Sequence, residues 1–264
     1  MQMSINGLSL NYEITGQGPC LVLIHGAGDN LGMWYNQVPV FAKEYRVLTY
    51  DVRGFGQSEI SDGEYTMGDL ADDLSQLLKA LDIRQACVLG YSRGGMIAMH
   101  CAINYPQQVK ALILANSGGG AVPNVIPVPA LERFTAMTET IRKHGFAPVI
   151  DKSTAASFSP SFPGDNPAAF HRYKTVRLQN DPQSYVRAMT LALRTPVDAS
   201  AVSCPTLIIA GEQDSYMSLE TAQKLQRLIP HCQLRIFSTG HAAAIEAPEG
   251  FNAAVLEFLR ALPD

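Results

Sequence analysis

A serine stands among glycines at position 92, in the run VLGYSRGGMIAMH from Val88 to His100. Cys87, Val88 and Leu89 read as the end of a buried strand. Met96, Ile97, Ala98 and Met99 read as a buried helix. A plain strand-to-helix turn does not need Gly90, Gly94 and Gly95 together. A strained turn that lifts a hydroxyl out of the sheet does, because a Cβ beside it would strike neighbouring strands. Residues 90–94 fit the pattern G-x-S-x-G, and the predicted strand before and helix after it are the context that pattern requires.

A serine hydroxyl is a poor nucleophile until a base takes its proton. Six histidines could serve. His100 lies on the apolar helix and suits local packing. His144 and His171 fall in a helical region far from any buried strand. His231 belongs to a loop, and His25 heads a glycine loop where a structural role fits. His241 follows the strand LRIF and the turn STG, and loops at the carboxyl ends of sheet strands are where α/β folds place function. The base needs an orienting carboxylate. Asp214 follows the strand TLIIA; Glu212 is its rival. The order Ser92, Asp214, His241 is one known for such triads. The oxyanion of a tetrahedral intermediate needs fixed N–H donors. Arg93, directly after the serine, offers one. The loop His25-Gly26-Ala27-Gly28 offers another, at Ala27.

These residues need a scaffold. Asn6-Gly7 divides two alternating segments and predicts a hairpin. CLVLI, YRVLTY, ACVL, ALILA, TLIIA and LRIF are short apolar runs, and continuous apolarity predicts burial on both faces of a parallel sheet. Leu70, Leu74, Leu77, Leu78 and Leu81 make one helical stripe, with Thr66 and Asp69 as a capping box at its start. Phe251, Val255, Phe258, Leu259 and Leu262 make another, with Pro248 suited to its first turn. The alternation predicts a doubly wound α/β sheet. From about 118 to 202 no strong strand appears. AVPNVIPVPA reads as a hinge, STAASFSPSFPGDNP as a loop, and three stretches around them as helices. The expected organisation is a core of residues 1–117 and 203–264 with a helical cap, 118–202, inserted between two strands.

Composition agrees with one large domain plus an insertion: 264 residues, 47% of them hydrophobic. The net charge of −4 and the lack of a basic cluster argue against nucleic acid or anionic membranes as partners. No apolar run is long enough to span a bilayer, and the first residues lack a secretory signal. Five scattered cysteines read as reduced thiols of a cytoplasmic protein.

HGAG at 25–28, DVRGFGQS at 51–58, GYSRGG at 90–95, GEQD at 211–214 and GHAAAIEAPEGF at 240–251 together resemble the α/β-hydrolase superfamily over nearly the whole chain. The chain is similar to its carboxylesterases, enol-lactone hydrolases, carbon–carbon bond hydrolases and cofactor-free haloperoxidases. The resemblance implies an eight-stranded, mostly parallel sheet, a cap between strands six and seven, and neither metal nor organic cofactor. It implies structural roles for Asp51, Arg53 and Gly54, with Ser58 near the pocket. Serine at position 92 argues against haloalkane dehalogenases and epoxide hydrolases, which carry aspartate there. Arg93 departs from the usual residue; its side chain could pair with Asp29 or Glu246, or help bind an anionic substrate, as could Arg172 and Arg187. Trp34, Tyr91, Tyr216 and Met217 flank catalytic loops and are candidates for an acyl or alcohol pocket, although simple packing accounts for each nearly as well. The expected activity is cleavage of small carboxylic esters or lactones through an acyl-enzyme. The alternatives are carbon–carbon hydrolysis, which the proline-free GAGDN loop disfavours, perhydrolase or haloperoxidase-like chemistry, and a non-catalytic ligand receptor. Cap surfaces and sheet edges leave homo-oligomers open.

Overall fold

The computed structural model describes residues 1–61, 63–118, 128–194 and 196–263. Strands β1 (Gln2–Ile5) and β2 (Leu8–Thr15) form the hairpin, turning at Asn6 and Gly7 with φ of 51° and 79°, the left-handed pair that a tight hairpin demands. β3 (Cys20–Ile24), β4 (Arg46–Tyr50), β5 (Ala86–Tyr91), β6 (Val109–Ala115), β7 (Thr206–Gly211) and β8 (Cys232–Phe237) complete an eight-stranded sheet of order β1-β2-β4-β3-β5-β6-β7-β8. Only β1–β2 and β2–β4 pair antiparallel; the other pairs are parallel.

Apolar runs form the central strands because both faces are covered. On β3, Val22 and Ile24 join a core with helices α2 (Met67–Ala80), α3 (Arg93–Asn104) and α9 (Leu219–Leu228). Leu21 and Leu23 join a second core with α1 (Val38–Phe41) and α11 (Pro248–Arg260). The expected capping box starts α2: Thr66 Oγ1 accepts from Asp69 N–H at 3.1 Å, and the Asp69 carboxylate accepts from Thr66 N–H at 2.7 Å. Pro248 opens α11. β8 departs from the expected double burial. It is one of the two edge strands, and its residues are exposed or half-buried, since no described strand pairs beyond it.

Between β6 and β7 the chain runs through α4 (Val128–His144), α5 (Ile150–Ala155), α6 (Phe162–Asp165), α7 (Pro167–Leu178) and α8 (Pro182–Arg194). The stretch expected as a loop, 153–167, includes the end of α5 and all of α6; Ser153 and Ser157 bond to preceding carbonyls, at 3.2 Å to Ile150 O and 3.3 Å to Ser153 O. The stretch AVPNVIPVPA lies outside the described residues except for its last three, which begin α4. The five cysteines are free, and Cys20, Cys87 and Cys101 are buried. Among the described residues no helix is long and apolar enough to cross a membrane.

The D-V-R-G loop after β4 is a buried polar knot. Asp51 accepts from Asn11 Nδ2 at 2.8 Å, Leu31 N–H at 2.7 Å and Gln57 N–H at 2.9 Å. Arg53 grips Asp73 of α2 through Nε at 2.6 Å and Nη2 at 2.5 Å. Ser58 is part of this knot rather than of a pocket: its hydroxyl donates to Asp51 O at 2.6 Å and accepts from Asn11 N–H at 2.8 Å. Removing one partner of such a pair strands a buried charge. Asp73→Ala is therefore expected to lower stability by about 3 kcal/mol in urea unfolding. The apolar pair Arg53→Met with Asp73→Leu should recover most of that loss; equal damage from both variants would contradict this reading.

Candidate active site

The parallel strands end in register. Ile24 pairs with Gly90, Tyr91 with Ala115, and Gly211 with Phe237. The segments that follow them, beginning at His25, Ser92, Asn116, Glu212 and Ser238, therefore emerge along one edge of the sheet. β3 and β5 are also where the winding reverses, the usual place for a site in an open α/β sheet.

Ser92 occupies the turn between β5 and α3 with φ 53° and ψ −118°, strained for an L-residue. The glycines around it are required by contact. A Cβ on Gly90 would lie 2.3 Å from Gly94 O, and one on Gly94 would lie 2.4 Å from Ile24 O. Helix and strands thus touch backbone to backbone. Ser117 Oγ donates to Ser92 O at 2.5 Å and steadies the turn.

His241 Nε2 lies 2.9 Å from Ser92 Oγ, and His241 Nδ1 lies 2.8 Å from Asp214 Oδ2. Asp214 is an acceptor throughout. Its Oδ1 takes Tyr216 N–H at 2.8 Å and Met217 N–H at 2.9 Å; Oδ2 takes Asn116 Nδ2 at 3.1 Å. Glu212, the rival acid, is bound instead by Ser238 Oγ at 2.5 Å on the exposed side. With Nδ1–H held by the carboxylate, Nε2 is free to accept the serine proton.

The loop after β3 lies beside the serine turn: a Cβ on Gly26 would meet the Tyr91 ring at 2.9 Å. His25 anchors that loop. Its Nδ1 donates to Gly26 O at 2.8 Å and its Nε2 accepts Val52 N–H at 2.9 Å. Burial, helped by the Arg93 charge, pushes the imidazole down to about 3, so His25 is neutral and structural. Among the described residues, the N–H groups of Ala27 and Arg93 have no acceptor.

Tyr91 and Tyr216 flank the His241 ring, at centroid distances of 5.2 and 5.0 Å. Met217 enters through its backbone N–H to Asp214. Trp34 does not line an accessible pocket. It is 0% exposed and belongs to the core under α1 and α11, so packing is its role. Arg93 pairs with neither Asp29 nor Glu246. Its guanidinium lies 4.7 Å over the Phe55 ring, and Glu246 is engaged by Gly240 N–H at 2.9 Å and by Ser159. Arg172 stacks on Tyr35 at 3.7 Å and Arg187 donates to Ser61 O, both on exposed faces.

Sequence reasoning passed over Asn116, Ser117, Asn180 and Arg177. Asn180 Nδ2 donates to Gly28 O at 3.0 Å while its Oδ1 accepts Gly56 N–H at 2.8 Å, tying the end of α7 to two core loops. Arg177 is 3% exposed. Tyr173, Val176 and Arg177 are buried at spacings of three and four along α7, but polar and apolar residues mix on this helix, so its pattern does not single them out.

The geometry agrees with the comparisons. The sequence profile of the alpha/beta hydrolase fold matches residues 19–248, and the chain belongs to that family. It is 29% identical to 3-oxoadipate enol-lactonase 2 of Acinetobacter baylyi over 96% of this chain and 94% of that one. It is 31% identical to 2-hydroxymuconate semialdehyde hydrolase of Pseudomonas sp. strain CF600 over 96% of this chain and 91% of that one. Among solved structures, the enol-lactonase from Burkholderia xenovorans LB400 superposes with a TM-score of 0.91 at 26% identity, covering 98% of this chain and 100% of that one.

Asp29, on the same loop, is 1% exposed and its Oδ1 has no partner among the described residues. Burial pushes its carboxyl up to about 6, against the pull of Arg177, Tyr173, His241 and Arg93. A carboxyl raised in the folded state favours folding below its unfolded pKa and loses that contribution as pH rises through about 6. Asp29→Asn should therefore be more stable than the wild type at pH 8 by on the order of 1–3 kcal/mol in urea unfolding. The gap should close towards pH 4. A less stable variant at pH 8 would show that the ionised carboxylate is a net stabiliser.

Proposed function

We propose that this chain is a serine hydrolase that cleaves small carboxylic esters or lactones through an acyl-enzyme. The observation that carries this reading is the hydrogen-bonded line Ser92–His241–Asp214, at 2.9 and 2.8 Å, together with the N–H groups of Ala27 and Arg93, which have no acceptor among the described residues. His241 Nε2 takes the proton of Ser92 as Oγ attacks the carbonyl carbon. Asp214 keeps the imidazole in the tautomer that can accept and stabilises the imidazolium formed. The Ala27 and Arg93 N–H groups receive the developing oxyanion. The tetrahedral intermediate collapses, the leaving alkoxide takes the proton from His241, and Ser92 is left acylated. A water deprotonated by the same Nε2 attacks the acyl carbon and frees the acid. In a lactone the alcohol and acid stay in one molecule.

The similarity to enol-lactonases supports the same chemistry. The likeness to 2-hydroxymuconate semialdehyde hydrolase supports a second reading, in which the bond cleaved is carbon–carbon. Helices α4 to α8 form a cap that helps shape the site. They are tied to it through Ala242 N–H to Ser157 O at 2.7 Å and Ser215 Oγ to Ala156 O at 3.0 Å. The unpaired cysteines support a reducing, cytoplasmic setting.

The wild type should hydrolyse 4-nitrophenyl acetate and butyrate, and Ser92→Ala should lower kcat/KM by at least about 10⁴-fold. Asp214→Asn should cost about 10⁴-fold in kcat through the wrong tautomer. Folded wild type without turnover on any ester, yet active on a vinylogous 1,5-diketone, would favour the carbon–carbon reading. Full activity in Ser92→Ala would sink both.

A further inference from the structure

Two guanidinium groups flank the loop that carries Ala27, and neither makes an ion pair among the described residues. Arg177 reaches in from α7. A Cβ placed on Gly28 would lie 3.6 Å from its Nη2. Its Nη1 donates to Thr154 Oγ1 at 3.0 Å, and its Nε has no partner among the described residues. The rings of Phe146, Tyr173 and Tyr185 surround it at 5.7 to 6.0 Å from its central carbon. Arg93 is 3% exposed; the hydroxyls of Tyr65 and Tyr50 face its guanidinium, but none of its three nitrogens makes a well-formed hydrogen bond among the described residues.

Burying a guanidinium without a counter-ion is expensive, and evolution rarely keeps one at a structural position. The negative group that answers both arginines is Asp29. It is one carboxylate facing two cations, and it contacts neither closely enough to pair. Asp214, the other buried carboxylate of the site, is committed to His241.

We propose that Arg177 is a specificity residue that takes the free carboxylate of an anionic ester or lactone, and that Asp29 is the resident counter-charge with which the substrate must share it. This rests on the hydrolytic reading above. A planar guanidinium with unused donors matches a carboxylate in two parallel hydrogen bonds. A guanidinium stays protonated at neutral pH even when buried, so the Arg177 charge is present. Asp29 competes for the guanidinium and so weakens its hold on an incoming anion. Removing either residue should move selectivity in opposite directions, which a merely structural role for both would not produce.

The test compares 4-nitrophenyl half-esters of adipic and pimelic acid with neutral 4-nitrophenyl heptanoate. The readout is the ratio of kcat/KM, anionic over neutral, within each enzyme. The wild type should favour an anionic ester. Arg177→Met should lower the ratio by about 10- to 100-fold, Arg177→Lys should retain part of it, and Asp29→Asn should raise it. Should Arg177→Met fail to fold, the lysine and Asp29 variants still decide. Hydrolysis abolished by Ser92→Ala, with a ratio at or below one and unmoved by these variants, would overturn the proposal and leave the hydrolase reading standing. If the folded wild type cleaves no ester, the ester reading fails. Adipate dianion then tests Arg177 directly, by raising the Tm of the wild type and not of Arg177→Met; no shift in either overturns it.

Discussion

Backbone contact at the end of β5 is the constraint on which the site depends. Gly90 and Gly94 leave no space for a side chain, because the first turn of α3 lies against the carbonyls of Ile24 and His25. That closeness forces Ser92 into a left-handed conformation at φ 53°, and the conformation aims its hydroxyl at His241 instead of into the sheet. It also brings the Arg93 N–H beside the loop that offers the Ala27 N–H. One steric condition thus fixes the Ser92 hydroxyl, the Arg93 N–H and the approach of His241 together. The strain it stores is held by surrounding structure, including the hydrogen bond from Ser117 to the Ser92 carbonyl.

The polar groups around that turn divide into those that are satisfied and those that are not. Asp214, His25, Asp51 and Glu246 have their hydrogen bonds made by the fold, so each holds a loop in place. Asp29 Oδ1, Arg177 Nε and the Arg93 guanidinium keep atoms without a well-formed partner among the described residues, although Arg177 still donates to Thr154. Unsatisfied buried polar atoms are rare where structure alone is at stake.

The sequence was legible wherever local pattern and chemistry coincided. The apolar runs of β3, β5 and β7 announced a sheet buried on both faces. The glycines around Ser92 announced the turn, and the position of His241 and Asp214 just past strands announced their meeting. β8 was less legible because an apolar run does not say whether a strand is central or at an edge. Arg177 was hidden for a different reason. It lies on a helix whose polar and apolar residues are poorly segregated, and only three-dimensional packing against Gly28 brings it to the site. Arg93 misled because a carboxylate nearby in the chain or motif is not one in reach. Trp34 misled because nearness to a catalytic loop in sequence does not distinguish the wall of a pocket from the core behind it. Asn116 and Ser117 follow an apolar strand as many unremarkable turn residues do, and nothing in their spacing ties them to Asp214 or Ser92.

The most direct test of the account is covalent labelling of the native protein with a fluorophosphonate, read by intact mass and peptide mapping. A serine activated by His241 should take up one equivalent, located at Ser92, and His241→Ala should react far more slowly. An unlabelled native protein, or a label on another residue with Ser92 untouched, would contradict the claim that this turn holds an activated nucleophile.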